Sequence, residues 1–157
     1  DHAPHYQHSE VGYNYRLSNI CAGIGRGQME VLDERVRLRR DNHSFYKELF
    51  SNTEAVDVFS EANSDFFSNH WLTCITLNKD LTKKTTHDLM TAFAEENIET
   101  RPLWKPMHLQ PVFKDCPYYG ETVAEDLFNA GLCLPSGSNI TNDDKNRINE
   151  VINNYQF

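Results

Sequence analysis

His8-Ser9-Glu10-Val11-Gly12-Tyr13-Asn14-Tyr15-Arg16-Leu17-Ser18-Asn19 holds a carboxamide, a guanidinium and two phenols within four consecutive residues, Tyr13 to Arg16, and then closes on a helix start signal. Ser18 is a residue type that caps helix N-termini, and a helical pattern follows it. Amide and guanidinium donors beside a helix N-terminus suit an anionic ligand such as a phosphate. Upstream of this run Pro4 and Gly12 interrupt any period, so residues 1–17 are expected as an extended loop.

Downstream, Ile20, Ile24, Gly27 and Val31 fall on one helical face, with Leu32 and Val36 beside it, which predicts one long helix. Gly23, Gly25 and Gly27 each cost roughly 1 kcal/mol against alanine there, an expense that close approach of another backbone would explain. Their spacing is not a dinucleotide loop, because no apolar strand precedes it and the third glycine is misplaced. The run Glu34 to Asp41 is expected as a solvated helix face, after which Phe45, Tyr46, Leu49 and Phe50 resume an apolar stripe. Asn52 to Asn69 has no period and is expected as loop.

Trp71 to Leu77 is the clearest strand, rich in β-branched and aromatic residues. Thr85 or Thr86 caps a helix that ends at Asn97. Ile98 to Arg101 is expected as a short strand and Met107 to Phe113 as one or two helical turns. Val123 to Ala130 is expected as a helix stopped by Gly131, and Leu132 to Leu134 as a third strand. Thr141 and Asp144 form a capping-box pattern before a last helix with Ile148, Val151, Ile152 and Tyr155 inward. This order predicts an α/β chain: a small sheet with helices packed on one face, in one domain.

A chain of 157 residues can bury a real core. Its formal charge of −8 argues against general nucleic-acid binding, which needs a positive field, and fits a soluble cytoplasmic protein. No apolar run approaches the ~18 residues of a membrane span, and no secretory signal pattern opens the chain. Starting at Asp1, the chain is expected to be a fragment or a processed product. Cys21, Cys74, Cys116 and Cys133 match no zinc spacing. Cys21, Cys74 and Cys133 sit in apolar stretches and are expected as buried, reduced thiols.

Arg101-Pro102-Leu103-Trp104-Lys105-Pro106-Met107-His108 is the second notable constellation. Its basic groups offer phosphate or carboxylate contacts, and its tryptophan a ring for stacking. An exposed loop whose charges cluster without function reads equally well from the residues alone. His2, His5 and His8 recur at three-residue spacing, but Pro4 disfavours a regular helix, and a flexible terminal segment is the simpler expectation than a metal site. No zinc-protease, nucleophile-elbow or phosphate-loop motif occurs. Ser136 sits in a turn without a local base, and the acidic pairs Asp33/Glu34 and Glu95/Glu96 are most simply solvated.

The two constellations, together with Gly131-Leu132-Cys133-Leu134-Pro135-Ser136-Gly137, resemble the sugar aminotransferases of the DegT/DnrJ/EryC1/StrS family. The similarity runs through nearly all of the chain and corresponds to the C-terminal part of that family. It implies a pyridoxal-phosphate enzyme of the aspartate-aminotransferase fold, dimeric, with active sites at the subunit interface. It implies that residues 1–17 are an arm from the large-domain side, that 18–157 form the C-terminal small domain with a long connecting helix, and that the large cofactor-binding domain lies upstream of residue 1.

By this resemblance Asn14 and Arg16 are cofactor-binding, with Asn14 reaching the cofactor phosphate across the dimer. Arg101, Trp104, Lys105 and His108 are substrate contacts. The Schiff-base lysine belongs to the absent domain, so no catalytic residue is expected in this chain, and alone it is expected to be inactive. The implied reaction moves an amino group from L-glutamate to a nucleotide-linked 4-keto-6-deoxy sugar. A C3-aminating or dehydratase relative, and a non-catalytic nucleotide-sugar-binding or interaction module, are the alternatives.

Overall fold

Ser18 caps the first helix as its residue type predicts. In the computed structural model of the chain, which describes residues 13–155 and Phe157, its hydroxyl accepts from the Cys21 amide at 3.2 Å and starts α1, Asn19–Met29. His2, His5 and His8 lie outside the described residues. The single long helix expected from periodicity is two helices. After α1 the Val31 amide turns back to the Gln28 carbonyl at 3.3 Å, an i to i−3 bond that tightens the chain out of the α-helix, and α2 then runs Leu32–Leu49. The chain divides here into two compact units, Asp1–Leu32 and Asp33–Phe157.

Within the first unit α1 carries no buried residue. A Cβ placed on Gly23, Gly25 or Gly27 would meet nothing within 4 Å. Among the described residues, then, no neighbouring backbone approaches these glycines as expected.

The second unit is built on a four-stranded antiparallel sheet of β1 (Val56–Val58), β2 (Thr73–Leu77), β3 (Arg101–Pro102) and β4 (Gly131–Leu134), in the order β1-β2-β4-β3. Side chains alternate between the faces of a strand. Ile75 and Leu77 of β2 and Leu132 and Leu134 of β4 point to one face, where they form the core. That core is closed by Tyr46 and Phe50 from α2, by Leu89 and Phe93 from α3 (Thr86–Glu95), and by Ile148, Val151 and Ile152 from α5 (Asn142–Asn154). Both capping boxes form: Thr85 with Asp88, and Thr141 with Asp144. α2, α3 and α5 therefore pack on one face, as expected for the helices, and the other face of β2 and β4 carries Cys74, Thr76 and Cys133.

β1 falls in the stretch expected as loop. It is three residues long and has an aspartate between its valines, too little for a period, and it exists because Val56 pairs with Leu77 on the core side. The strand expected over Ile98–Arg101 shrinks to Arg101–Pro102, because Asn97 and Ile98 are used by the end of α3. The Ile98 amide bonds back to the Phe93 carbonyl and the Asn97 amide to Ala94, both at 2.9 Å, with Asn97 at φ +56°. This is the Schellman end of a helix. Asn97→Ala should cost about 1 kcal/mol, the penalty of a Cβ-bearing residue without a local polar group in left-handed backbone, whereas Asn97→Gly should not. Urea unfolding checks this; equal losses for both variants would show that the side chain, not the backbone, matters.

Met107–Leu109 and Pro111–Phe113 are single 3₁₀ turns, and α4 spans Val123–Ala130. Gly131 follows α4 but is not a left-handed stop: its φ is −101°. It is glycine because Leu103 and the Leu127 carbonyl occupy the place of a Cβ.

The run Glu34–Asp41 is only half solvated. Arg37 pairs with Glu34 and Asp41 in the open, as expected. Arg35, Arg39, Asn42 and Tyr46, at helical spacing along α2, instead donate to the turn after β4. Arg35 bonds Ser138 Oγ at 3.4 Å, Arg39 the Ser136 carbonyl at 3.1 Å, Asn42 the Gly137 carbonyl at 2.9 Å and Tyr46 the Pro135 carbonyl at 2.8 Å. Arg39 also donates to the Trp71 carbonyl. The turn thus has its carbonyls satisfied by one helix face, a requirement that charge counting along α2 does not reveal.

Candidate functional site

Residues opposed in an antiparallel ladder share a face. Arg101 of β3 is opposite Cys133 of β4, and Cys133 is opposite Cys74 of β2, so the three form a row across the face that α2, α3 and α5 leave uncovered. Above this row stand the chain's two tryptophans, Trp71 and Trp104, 59% and 65% exposed, with ring centroids 6.2 Å apart and planes tilted by 34°. They rim a groove of about 660 Å³ whose lining includes Arg101, Cys133, Asn139 and Arg147. That volume suits a small-molecule ligand, and tryptophan faces suit a planar ring. Trp71 and Trp104 also border a more apolar groove of about 630 Å³ against Phe59, Phe66 and Phe67.

The expected substrate contacts divide. Arg101 and Trp104 share the first groove, where the Arg101 guanidinium is already paired with Glu99. Lys105 is exposed and does not line that groove, and its carbonyl accepts from the Gln110 side chain at 3.3 Å. His108 sits in the first 3₁₀ turn, its Nε2 2.9 Å from Glu125 Oε1 and its ring stacked on Tyr118 at 3.8 Å. Trp71 and Cys133 also line the first groove, Trp71 being expected from sequence only as a strand residue and Cys133 as a buried thiol. Ser136 is structural: its buried hydroxyl accepts from the Thr73 amide at 2.8 Å and donates to the Leu134 carbonyl at 2.7 Å. Cys21 and Cys116 are exposed, against the expectation of burial for Cys21, while Cys133 is buried and Cys74 half-buried.

In the first unit Asn14 and Arg16 are exposed just ahead of α1. Asn14 Oδ1 accepts from the Arg16 amide at 3.0 Å, a local turn that fixes the carboxamide and leaves its NH₂ as a donor. Tyr13 and Tyr15 flank it, with ring centroids 6.0 Å apart.

A second polar cluster lies under α2. His43 and His70 stack at 3.6 Å, Glu61 lies 3.2 Å from His70 Nε2 and 2.8 Å from Arg40, and His43 Nε2 meets the Phe59 carbonyl at 3.0 Å. The Arg40 hydrogen bond above all holds the Glu61 carboxyl down to about 2. Burial first, and the neighbouring His43 second, push His70 below its ordinary 6.5. A histidine lowered on folding stabilises the fold above its unfolded pKa, and that stability is lost as pH falls through the folded value. Stability should therefore decline from about pH 6.5 downward, and His70→Asn, which suits the φ of +45° there, should flatten that slope. Urea unfolding across a pH series measures it; an unchanged slope would absolve His70.

The sequence pattern of the DegT/DnrJ/EryC1/StrS aminotransferase family matches residues 1–153. The chain belongs to this family. Among its members, the chain is 49% identical over 154 residues to EpsN of Bacillus subtilis (strain 168), covering 96% of this chain and 39% of EpsN. It is 33% identical over 150 residues to the GDP-perosamine synthase of Escherichia coli O157:H7, with the same coverages of 96% and 39%. The chain thus spans about two fifths of the length of these relatives. The E. coli GDP-4-keto-6-deoxy-D-mannose-3-dehydratase with bound hydrated PLP superposes with a TM-score of 0.75 at 23% identity, covering 94% of this chain and 38% of that one. At that identity the likeness is one of fold, and it agrees with the α/β small domain expected for the DegT/DnrJ/EryC1/StrS family. Among the described residues no helix is long and apolar enough to cross a membrane.

Proposed function

We propose that the chain is the small domain, with its preceding arm, of a pyridoxal-phosphate-dependent enzyme that moves an amino group from L-glutamate to a nucleotide-linked 4-keto-6-deoxy sugar. The observation that carries this reading is the family match over residues 1–153, which includes the Tyr13–Arg16 run and the groove residues alike. A relative named for a GDP-linked sugar supports the substrate class. On this reading residues 1–17 are the arm, 18–157 the small domain, and the working enzyme is a homodimer.

The donor set fits a phosphate. Among the described residues the Asn14 NH₂ and the Arg16 guanidinium have no side-chain acceptor, and both stand at the start of a capped helix. Pyridoxal phosphate, when bound, supplies the electron sink through which an amino group is carried from donor to acceptor. Asn14 would hold its phosphate by hydrogen bonding and Arg16 by charge. Trp104 would present a ring face to the substrate's base, and Arg101, exchanging Glu99 for a phosphate, would orient its anionic part. Lys105 and His108 would act at the edge, His108 through the orientation that Glu125 imposes. The reacting lysine is assigned to the part of the protein outside these residues, so this chain by itself would not turn over substrate.

Asn14→Ala in the intact enzyme should weaken cofactor affinity about tenfold, the worth of one hydrogen bond to a charged group. Spectroscopic titration of the cofactor-free protein measures this, and an undiminished affinity would take Asn14 out of the site. A sequence relative named as a GDP-4-keto-6-deoxy-D-mannose 3-dehydratase, of Yersinia pseudotuberculosis, 29% identical over 92 residues, supports a second reading within the same family. Identification of the product, an amino sugar or a deoxygenated keto sugar, separates the two.

A further inference from the structure

Cys74 and Cys133 face each other across β2 and β4, with their Sγ atoms 3.7 Å apart. The type of pairing follows from the neighbouring hydrogen bonds. The Cys74 carbonyl accepts from the Phe59 amide at 3.0 Å, on the β1 side, while the adjacent Thr73 amide points the other way and donates to Ser136 beyond β4. The backbone N–H and C=O of one strand residue point to the same side, so Cys74 bonds toward β1. Its pairing with Cys133 is therefore of the non-hydrogen-bonded kind, in which Cα atoms approach to about 4.5 Å and side chains are closest. Disulfides span Cα separations of roughly 4.4–6.8 Å. Side-chain rotation alone can then bring the sulfurs to bonding distance.

We propose that Cys74 and Cys133 are a redox modification site that closes reversibly to a cross-strand disulfide by exchange with a low-molecular-weight disulfide of the glutathione type. Cys74, the more accessible of the two, loses its proton and attacks one sulfur of the oxidant, forming a mixed disulfide and releasing one glutathione thiol. Cys133 then loses its proton and displaces the second glutathione thiol, leaving the Cys74–Cys133 bond. The two electrons and two protons given up by the cysteines end on two molecules of glutathione.

Burial pushes the Cys74 thiol up to about 12 and raises that of Cys133 as well. Thiolate is therefore scarce and the first step slow, while the second is intramolecular between groups the sheet already holds in register. Cys133 lines the groove that holds Arg101 and Trp104, and Cys74 the adjoining apolar groove, so on the function proposed above the bond would form where the two grooves meet. The modification itself does not depend on that function.

The test uses the protein with the exposed Cys21 and Cys116 replaced by serine, alongside the unsubstituted protein. Each is incubated with oxidised glutathione, quenched in acid, alkylated after unfolding and mapped by mass spectrometry. The expected result is loss of both remaining thiols together, a cross-linked peptide joining Cys74 to Cys133, and full recovery with dithiothreitol. Adding Cys133→Ser should abolish the cross-link and leave Cys74 reduced or carrying glutathione. Alkylation of both cysteines after prolonged oxidation, or glutathione adducts that never resolve into the cross-link, would overturn the proposal. Loss or retention of aminotransferase activity on oxidation bears on the function proposed above; the cross-link alone decides this site.

Discussion

Gly131→Ala should lower the unfolding free energy by about 3 kcal/mol, the upper part of the usual range for overpacking. The added Cβ would lie 2.1 Å from Leu103 Cδ1 and 2.5 Å from the Leu127 carbonyl oxygen. The leucine can rotate, but the carbonyl belongs to the last turn of α4, and moving it displaces the helix from the strand it feeds. Backbone torsion is not the obstacle, since a φ of −101° is open to any residue. Truncating the flexible neighbour in the double variant Gly131→Ala/Leu103→Ala should therefore restore only part of the loss. Urea unfolding of the single and double variants measures this. Full restoration would show that Leu103 alone sets the constraint, and a harmless Gly131→Ala would contradict the close packing of α4 on β4.

Ser136→Ala should cost about 2 kcal/mol, because one substitution leaves two buried groups without partners. The Thr73 amide and the Leu134 carbonyl both use the Ser136 hydroxyl, and Thr73 is wholly buried at the head of the central strand. No water reaches the amide to replace the lost acceptor, so the penalty is that of an orphaned donor rather than the small net worth of an exchanged hydrogen bond. Thermal unfolding with hydrogen exchange at Thr73 reports it. The Thr73 amide should lose protection while the amides of α3 keep theirs. Uniform loss of protection would point to global destabilisation, and no change to a substitute acceptor.

The elements that could be read in advance are those whose signals are local. Ser18, Thr85 and Thr141 cap helices through bonds to residues three positions away, and Ile148, Val151 and Ile152 point inward by helical period alone. What could not be read depends on distant partners. β1 exists only because β2 offers it an edge, and the arginines of α2 look solvated until the turn after β4 is placed beneath them. The break at Glu30–Val31 carries neither proline nor glycine to announce it. For the groove, Arg101 and Trp104 were legible as residue types suited to a ligand. Trp71, some thirty residues earlier in the chain, was not, because only the sheet order brings β2 and the segment after β3 to one face. The meeting of Cys74 and Cys133 is likewise a matter of register, which residue spacing does not encode.

The donors of α2 that hold the turn after β4 reach across 89 to 103 residues of chain, from Tyr46 to Pro135 and from Arg35 to Ser138. On the ribosome, α2 emerges long before its acceptors have been synthesised. The central strand β2 has β1 to pair with early, but β4, its other neighbour, is made only after α3, β3 and α4. Closure of this unit should thus wait for β4 and the turn after it and be slow for its size, since so much of its order joins positions remote in the chain. Until then Arg39, Asn42 and Tyr46 would remain in water, and a nascent chain stalled before Pro135 should be an easy substrate for proteases that the finished protein resists.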